Sequence, residues 1–326
     1  MKNLGMMPII IFSVAVISLS PFLGMMNIPF CEIFGGSESA LSKVLFELRI
    51  PRVLLAWLTG STLALCGLIF QALFRNSLAS PDMLGVSAGA AFGAVLYIKL
   101  GVVFSLFGVM SGLSLSAFAG AMAATLAIYA AGRIKRETLS ESSLLLAGVA
   151  MSFLFGSLNM IIQYSSGYVD TFRMMRWSMG GIQIVGFYPV IASLPAFVLV
   201  FVVAFTAGPE LDLLICGEDI ALGRGVSVAR LRKILFFSVS AAIGLSVAIC
   251  GPIGFIGLMV PHICRKISGG GHRRLAVASA FFGGGFLVLC DTAARIILAP
   301  AELPVGVLTS CIGSVFFLSL LIKGKR

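Results

Sequence analysis

Residues 49–90 read RIPRVLLAWLTGSTLALCGLIFQALFRNSLASPDMLGVSAGA. Between Arg52 and Arg75 this stretch carries no charge, and about 20 apolar residues suffice for a helix to cross the hydrocarbon core of a bilayer. Residues 51–73 therefore predict a membrane-crossing helix with arginine at each end. The rest of the chain repeats the pattern. Of 326 residues 59% are hydrophobic and only 11% charged, where a soluble domain has about 25% charged, and the mean hydropathy is +1.08. That hydrophobic share, about 192 residues, allows at most about ten crossings. The loops that remain are too short for a soluble catalytic domain. The chain contains no G-x-x-x-x-G-K-[ST] phosphate loop, so any energy from ATP has to come from a partner.

Apolar runs bounded by charges or turn residues place spans near 8–26, 51–73, 84–107, 111–131, 143–163, 187–207, 231–250, 252–264, 276–299 and 304–322. The expected fold is an all-α polytopic membrane protein of about ten transmembrane helices, a single transmembrane domain over 1–326 with one short interrupted helix. With both termini cytoplasmic, all of the 23 basic residues except Lys43, Arg49, Arg52, Lys99, Arg173, Arg176 and Arg295 fall inside, as the positive-inside rule requires. The excess of 23 basic over 13 acidic residues thus reads as loops held against anionic lipid, with no nucleic acid partner. The seven cysteines are scattered without a C-x-x-C, so neither a disulfide framework nor a metal site is expected. The first 26 residues lack a small-residue cleavage site and read as an uncleaved first span.

Two spans carry special signals. Gly251 and Pro252 open the eighth run and Pro261 nearly closes it, leaving about 13 residues or 20 Å of helix. Such a short, interrupted helix survives only where neighbours satisfy its backbone, which places it centrally. Gly85, Gly89 and Gly93 form a small-residue stripe on one helix face, suited to close helix approach. A faint echo between 52–67 and 232–251, one starting outside and the other inside, fits an inverted repeat.

The loop PELDLLICGEDIALGRGVSVARLRK, residues 209–233, mixes acids and bases with apolar spacing at Leu213, Leu214, Ala221 and Leu222. A short amphipathic helix pair hinged at Gly217, Gly223 and Gly225 would dock a soluble partner. Composition alone leaves a solvated loop equally open.

Residues 49–90, GEDIALGRGV (217–226), GPIGFIGLMVPHICR (251–265), DTAAR (291–295) and AELPVGVLTSCIG (301–313) occur in one order along the chain. In them the chain resembles the permease family of ABC importers for ferric siderophores, haem and cobalamin, from about Arg49 to the C-terminus. The resemblance implies a homodimer in the cytoplasmic membrane of a prokaryote, with two cytoplasmic ABC ATPases below and an extracytoplasmic substrate-binding protein above. ATP and Mg belong to the ATPases, and this chain binds no cofactor. It also implies coupling to the ATPase through about 210–230, with Gly217, Glu218, Ala221, Leu222 and Gly223 entering the partner's groove.

By the same resemblance Arg49, Arg52 and Arg295 meet acidic residues of the binding protein at the outer mouth. For Arg295 the residues offer a second explanation, because Asp291 lies one helical turn away and neutralises it. The cytoplasmic gate falls on Asn76, Leu78, Ser140, Glu141 and Ser142, where the charge of Glu141 departs from the small polar pattern. Arg173 and Arg176, expected at the outer end of the fifth span beside Trp177, either contact an anionic cargo or snorkel to the interface. His262 and His272 map to the cytoplasmic end, where packing or ATPase contact is expected rather than metal binding. The Met pairs read as apolar filling. A ferric siderophore is the leading cargo. The competing class is an ion-coupled secondary transporter, which needs ionisable residues near the bilayer midplane. Asp291 is the main candidate.

Overall fold

The computed structural model describes residues 5–24, 40–80, 84–102, 104–106, 110–133 and 141–323. The chain runs α1 (Met6–Leu19), α2 (Ala40–Lys43), a π-helical stretch (Val44–Arg49), α3 (Ile50–Leu73), α4 (Val86–Leu100), α5 (Gly112–Arg133), α6 (Glu141–Tyr164), α7 (Tyr168–Ser178) and α8 (Tyr188–Thr206). It continues with α9 (Gly208–Cys216), α10 (Glu218–Gly223), α11 (Val228–Cys250), α12 (Ile256–Ser268), α13 (His272–Ile297) and α14 (Val305–Lys323). The only strands among the described residues are two-residue pieces, Ser105–Leu106 and Met110–Ser111, paired antiparallel between α4 and α5. Six helices are long and apolar enough to cross a membrane, and Met6–Phe22, Val86–Leu100 and Val305–Leu320 are shorter apolar helices.

Helix α3 is the central column. It is buried along nearly its whole length and packs against α8, α11, α12 and α13. The continuous helix starts at Leu41, well before the expected 51. Pro51 has no N–H to give the carbonyl four residues back, and the chain answers with the π-helical stretch before it. The freed carbonyl of Glu47 accepts the N–H of Gly186 at 2.7 Å, tying the α7–α8 linker to α3.

The interrupted eighth run is the helix α12, shifted to Ile256–Ser268 because Gly251 (φ +69°) and Phe255 (φ +68°) hold the preceding residues out of helix. Its interior position follows from α3. Pro261 leaves the Gly257 carbonyl without its helical donor, and Gln71 Nε2 of α3 supplies one at 3.3 Å, with a second bond to Leu258 O at 3.2 Å. Arg265 completes the buried amide by donating to Gln71 Oε1 at 3.0 Å. Gly67 makes the approach possible: a Cβ there would lie 1.7 Å from Gly257 O.

The glycine stripe of α4 acts as expected. A Cβ on Gly93 would stand 2.0 Å from Ser116 O, and one on Gly89 2.7 Å from Gly120 O, both in α5. Gly85 takes φ +69° as the N-cap of α4 and is approached by α6, a Cβ there lying 3.0 Å from Gly148 O. Gly93→Leu is therefore expected to separate α4 from α5 and destabilise the chain by about 1–3 kcal/mol or more. Gly156→Leu, which points into open space, leaves stability unchanged. Thermal unfolding of both variants in nanodiscs reads the difference.

Candidate functional site

At one end of the bundle α3, α13 and the connection after α13 bring charge together. Arg52, one turn into α3, donates to Asp291 of α13 through Nε (3.1 and 3.0 Å to the two oxygens) and Nη2 (2.9 Å). Its Nη1 reaches Glu302, in the α13–α14 connection, at 3.0 Å. Arg295 faces the same carboxylate from one turn along α13, 3.3 Å from Asp291 Oδ2, and donates to Thr292 Oγ1 at 3.1 Å. Thr292 is hydrogen-bonded to Ser20, so the turn after α1 is joined to the cluster. Arg49 donates to the Pro21 carbonyl at 3.0 Å.

The resemblance set all three arginines facing a partner, with neutralisation by Asp291 as the second reading of Arg295. The side chain of Arg295 is only 7% exposed and that of Asp291 2%, so Arg295 neutralises Asp291 and presents almost no surface. Arg52 is bound on both edges by Asp291 and Glu302. Glu302 is the residue that sequence reasoning missed. Its signal was a lone carboxylate seven positions after Arg295 in an otherwise uncharged loop.

Arg52 and Glu302 also line a cleft of about 590 Å³ with Arg173, Arg176, Trp177 and Tyr188. The two arginines do not end the fifth span, which stops at Tyr164. They lie on the separate amphipathic helix α7. Arg173 is 3.7 Å from Asp170. Arg176 has no ion-pair partner among the described residues, which leaves it as the uncompensated cation of the cleft.

At the opposite end, the loop after α8 folds as the helix pair α9 and α10, hinged at Gly217 (φ +143°). Its bracing is bidentate. Arg232, at the start of α11, donates to Glu218 through Nη2 (2.8 Å) and Nη1 (3.2 Å). Asp212 of α9 accepts the backbone N–H of His272 at 3.1 Å and faces its ring nitrogen Nδ1, capping α13. Arg273 donates to Phe205 O at 3.2 Å. The five residues expected to enter a partner's groove thus divide. Ala221 is fully buried and packs inward, and Glu218 turns back onto Arg232. Leu222 is 53% exposed beside Ile220 at 50%, while Gly223 meets only open space. Ile220 and Ile215 form an exposed apolar surface with Leu222, and neither was singled out from sequence.

Asn76 and Leu78 are exposed in a tight turn, where the Leu78 N–H bonds to Asn76 Oδ1 at 2.9 Å. Ser140 lies outside the described residues, and Glu141 and Ser142 are described only as the first residues of α6. His262 packs edge-on against Phe316 of α14, ring centroids 6.0 Å apart.

The comparisons with known proteins identify this arrangement. The FecCD transport family matches residues 9–323. The chain belongs to that family. It is 37% identical over 298 residues to the uncharacterized ABC transporter permease protein YvrB of Bacillus subtilis, covering 90% of this chain and 84% of that one. It is 38% identical over 288 residues to the cobalamin import system permease protein BtuC of Halobacterium salinarum, 88% of this chain and 75% of that one. A solved structure described as an inward-facing conformation of a metal-chelate type ABC transporter superposes with a TM-score of 0.85 at 29% identity, over 99% of this chain and 100% of that one. This FecCD-family chain is accordingly a helical, multi-pass membrane protein, with a charged cluster at one end and a braced helix pair at the other.

Proposed function

We propose that the chain is the permease subunit of an ABC importer for metal chelates. It crosses the cytoplasmic membrane of a prokaryote ten times with both termini inside, and works as a homodimer between two ATPases and an extracytoplasmic binding protein. The chain performs no bond chemistry; ATP and Mg act on the ATPases. A ferric siderophore is the cargo we favour, ahead of haem and cobalamin.

The observation that carries this reading is the α9–α10 pair. A loop serving only as a connector has no need of a bidentate Arg232–Glu218 brace beneath exposed Ile220 and Leu222. A rigid knob with an apolar tip suits insertion into a soluble partner. The knob is bonded to the N-terminus of α13 through Asp212 and His272, and the far end of α13 holds the Arg52–Asp291 cluster. A movement imposed on α9 has one helix of 26 residues, about 39 Å long, through which to reach the outer mouth. Asn76, Leu78, Ser140, Glu141 and Ser142 form the inner gate in this scheme. Arg49, Arg52 and Arg295 shape the outer docking surface, Arg295 indirectly by holding Asp291. The anionic group that Arg173 and Arg176 meet is carried by the arriving complex of cargo and binding protein.

Ion coupling is disfavoured by the state of Asp291. It is the one buried carboxylate among the described residues, and two guanidinium groups hold it in place.

Uptake into proteoliposomes containing permease and ATPase, supplied with binding protein and cargo, tests the proposal. Import is expected to require ATP. Arg49→Glu, which spares the Arg52–Asp291 pair, is expected to cut binding-protein-stimulated ATP hydrolysis at least ~10-fold, the factor that about 1.4 kcal/mol of lost docking energy produces. Import that follows an ion gradient and ignores ATP would overturn the importer in favour of a secondary transporter.

A further inference from the structure

Each nitrogen of Arg52 is already in use within the chain. Nε and Nη2 donate to Asp291, at 3.0 and 2.9 Å. Nη1, the remaining nitrogen, donates to the two oxygens of Glu302, at 3.3 and 3.0 Å. A guanidinium presents its donors in a fixed fork, so a carboxylate arriving from a partner finds both edges of Arg52 covered.

The two covers differ in how firmly they sit. The Asp291 side chain is 2% exposed and shared with Arg295, 3.3 Å away, and breaking a buried ion pair leaves a charge uncompensated. The Glu302 side chain is 36% exposed and holds Arg52 by one nitrogen. It ends the run 298–302 after α13, in which every residue is exposed, and an exposed ion pair contributes little. Glu302 is therefore the cover that can leave. The described residues lining the adjoining cleft carry three arginines, Arg52, Arg173 and Arg176, against Glu302 as their single carboxylate. Such a field draws acidic groups inward. A carboxylate that replaces Glu302 on Nη1 exchanges one charge-assisted hydrogen bond for another.

We infer that Glu302 is an internal stand-in for a carboxylate of the docking partner: it covers the Nη1 edge of Arg52 in the unbound chain, and an acidic side chain of the partner displaces it on docking. The inference rests on the docking role proposed for Arg52. It makes Glu302 a positioning residue that weakens docking, because this competitor is tethered beside Arg52 at high effective concentration and the partner's carboxylate is not.

The test is titration of the permease–ATPase complex in nanodiscs, at low ionic strength, with the substrate-binding protein that stimulates its ATP hydrolysis. Glu302→Gln keeps the shape of the side chain and withdraws its charge. The concentration of binding protein giving half-maximal stimulation is expected to fall ~5-fold, the equivalent of about 1 kcal/mol, with thermal unfolding unchanged and the gain shrinking as salt is raised. Glu302→Ala, which removes the contact altogether, is expected to give the same gain. A merely structural ion pair predicts the opposite sign, because loosening Arg52 weakens docking. An unchanged or raised half-maximal concentration in the two variants overturns the inference, and so does a gain that salt leaves untouched. Arg49→Glu in the same titration reads the docking surface separately. Lost stimulation in Arg49→Glu without a gain in Glu302→Gln removes the stand-in and spares the surface, whereas a gain with Arg49→Glu unaffected keeps the exchange at Arg52 and takes Arg49 out of the surface.

Discussion

Asp291→Asn is expected to lower the unfolding free energy of the chain by about 3–5 kcal/mol, the cost of leaving a buried partner charge uncompensated. Asp291 holds Arg52 at 2.9 Å and Arg295 at 3.3 Å. Asparagine keeps the shape and one acceptor but withdraws the charge on which both guanidinium groups depend. Arg52 retains Glu302, so the larger part of the loss falls on Arg295, which is left with neutral acceptors, the backbone oxygen of Asp291 and the hydroxyls of Thr292 and Ser20. The double variant Asp291→Leu with Arg295→Met is expected to regain most of the stability, since an apolar pair of similar volume often replaces a buried ion pair at little cost. Thermal unfolding in nanodiscs measures both. A loss below about 1 kcal/mol for Asp291→Asn, the range of exposed ion pairs, would show that water reaches the cluster and that it does not fasten α3 to α13.

Gly223→Trp is the second large effect, and it separates partner binding from folding. A Cβ at Gly223 would meet nothing within 4 Å, so the first atom of the new side chain clashes with no part of the isolated chain. The indole occupies the space just beyond Leu222, where the proposed ATPase contact lies. Co-purification with the ATPase and ATP-driven uptake are each expected to fall at least ~10-fold, corresponding to about 1.4 kcal/mol, with thermal unfolding unchanged. Reversal at Glu218 is a poorer probe, because it also breaks the brace to Arg232. Normal assembly and uptake by Gly223→Trp would move the coupling contact away from α10.

The apolar runs were legible because the bilayer imposes a length and an absence of charge on each crossing. Eight of the expected spans match helices to within a few residues of their ends, α3 being extended upstream by the π-helical stretch. The first span was drawn too long, as α1 gives way to a 3-10 turn at Ser20–Phe22. The third was also too long, because Gly101 in the left-handed region ends α4. Glycine spacing announced that a helix would pack closely on Gly89 and Gly93 but not that it would be α5. The helix pair hinged at Gly217 was one of two readings that the residues left equally open. Which of its faces points outward was not legible: Ala221 and Leu222 are adjacent in sequence, and only packing against α9 and α11 buries one and exposes the other.

By itself the sequence determined the class of fold, the approximate spans, the short interrupted helix and the family motifs, because these depend on local composition and on spacing along one element. Tertiary structure decided what most of the charged residues do. The Asp291–Arg295 pair was readable along one helix, but Arg52 stands 239 positions from Asp291 and meets it and Glu302 only in the fold, and the energy of a charge depends on its partner and on exclusion of water. The same holds for Gln71, which looks misplaced in an apolar span until Pro261 of α12 is seen to leave a carbonyl for it.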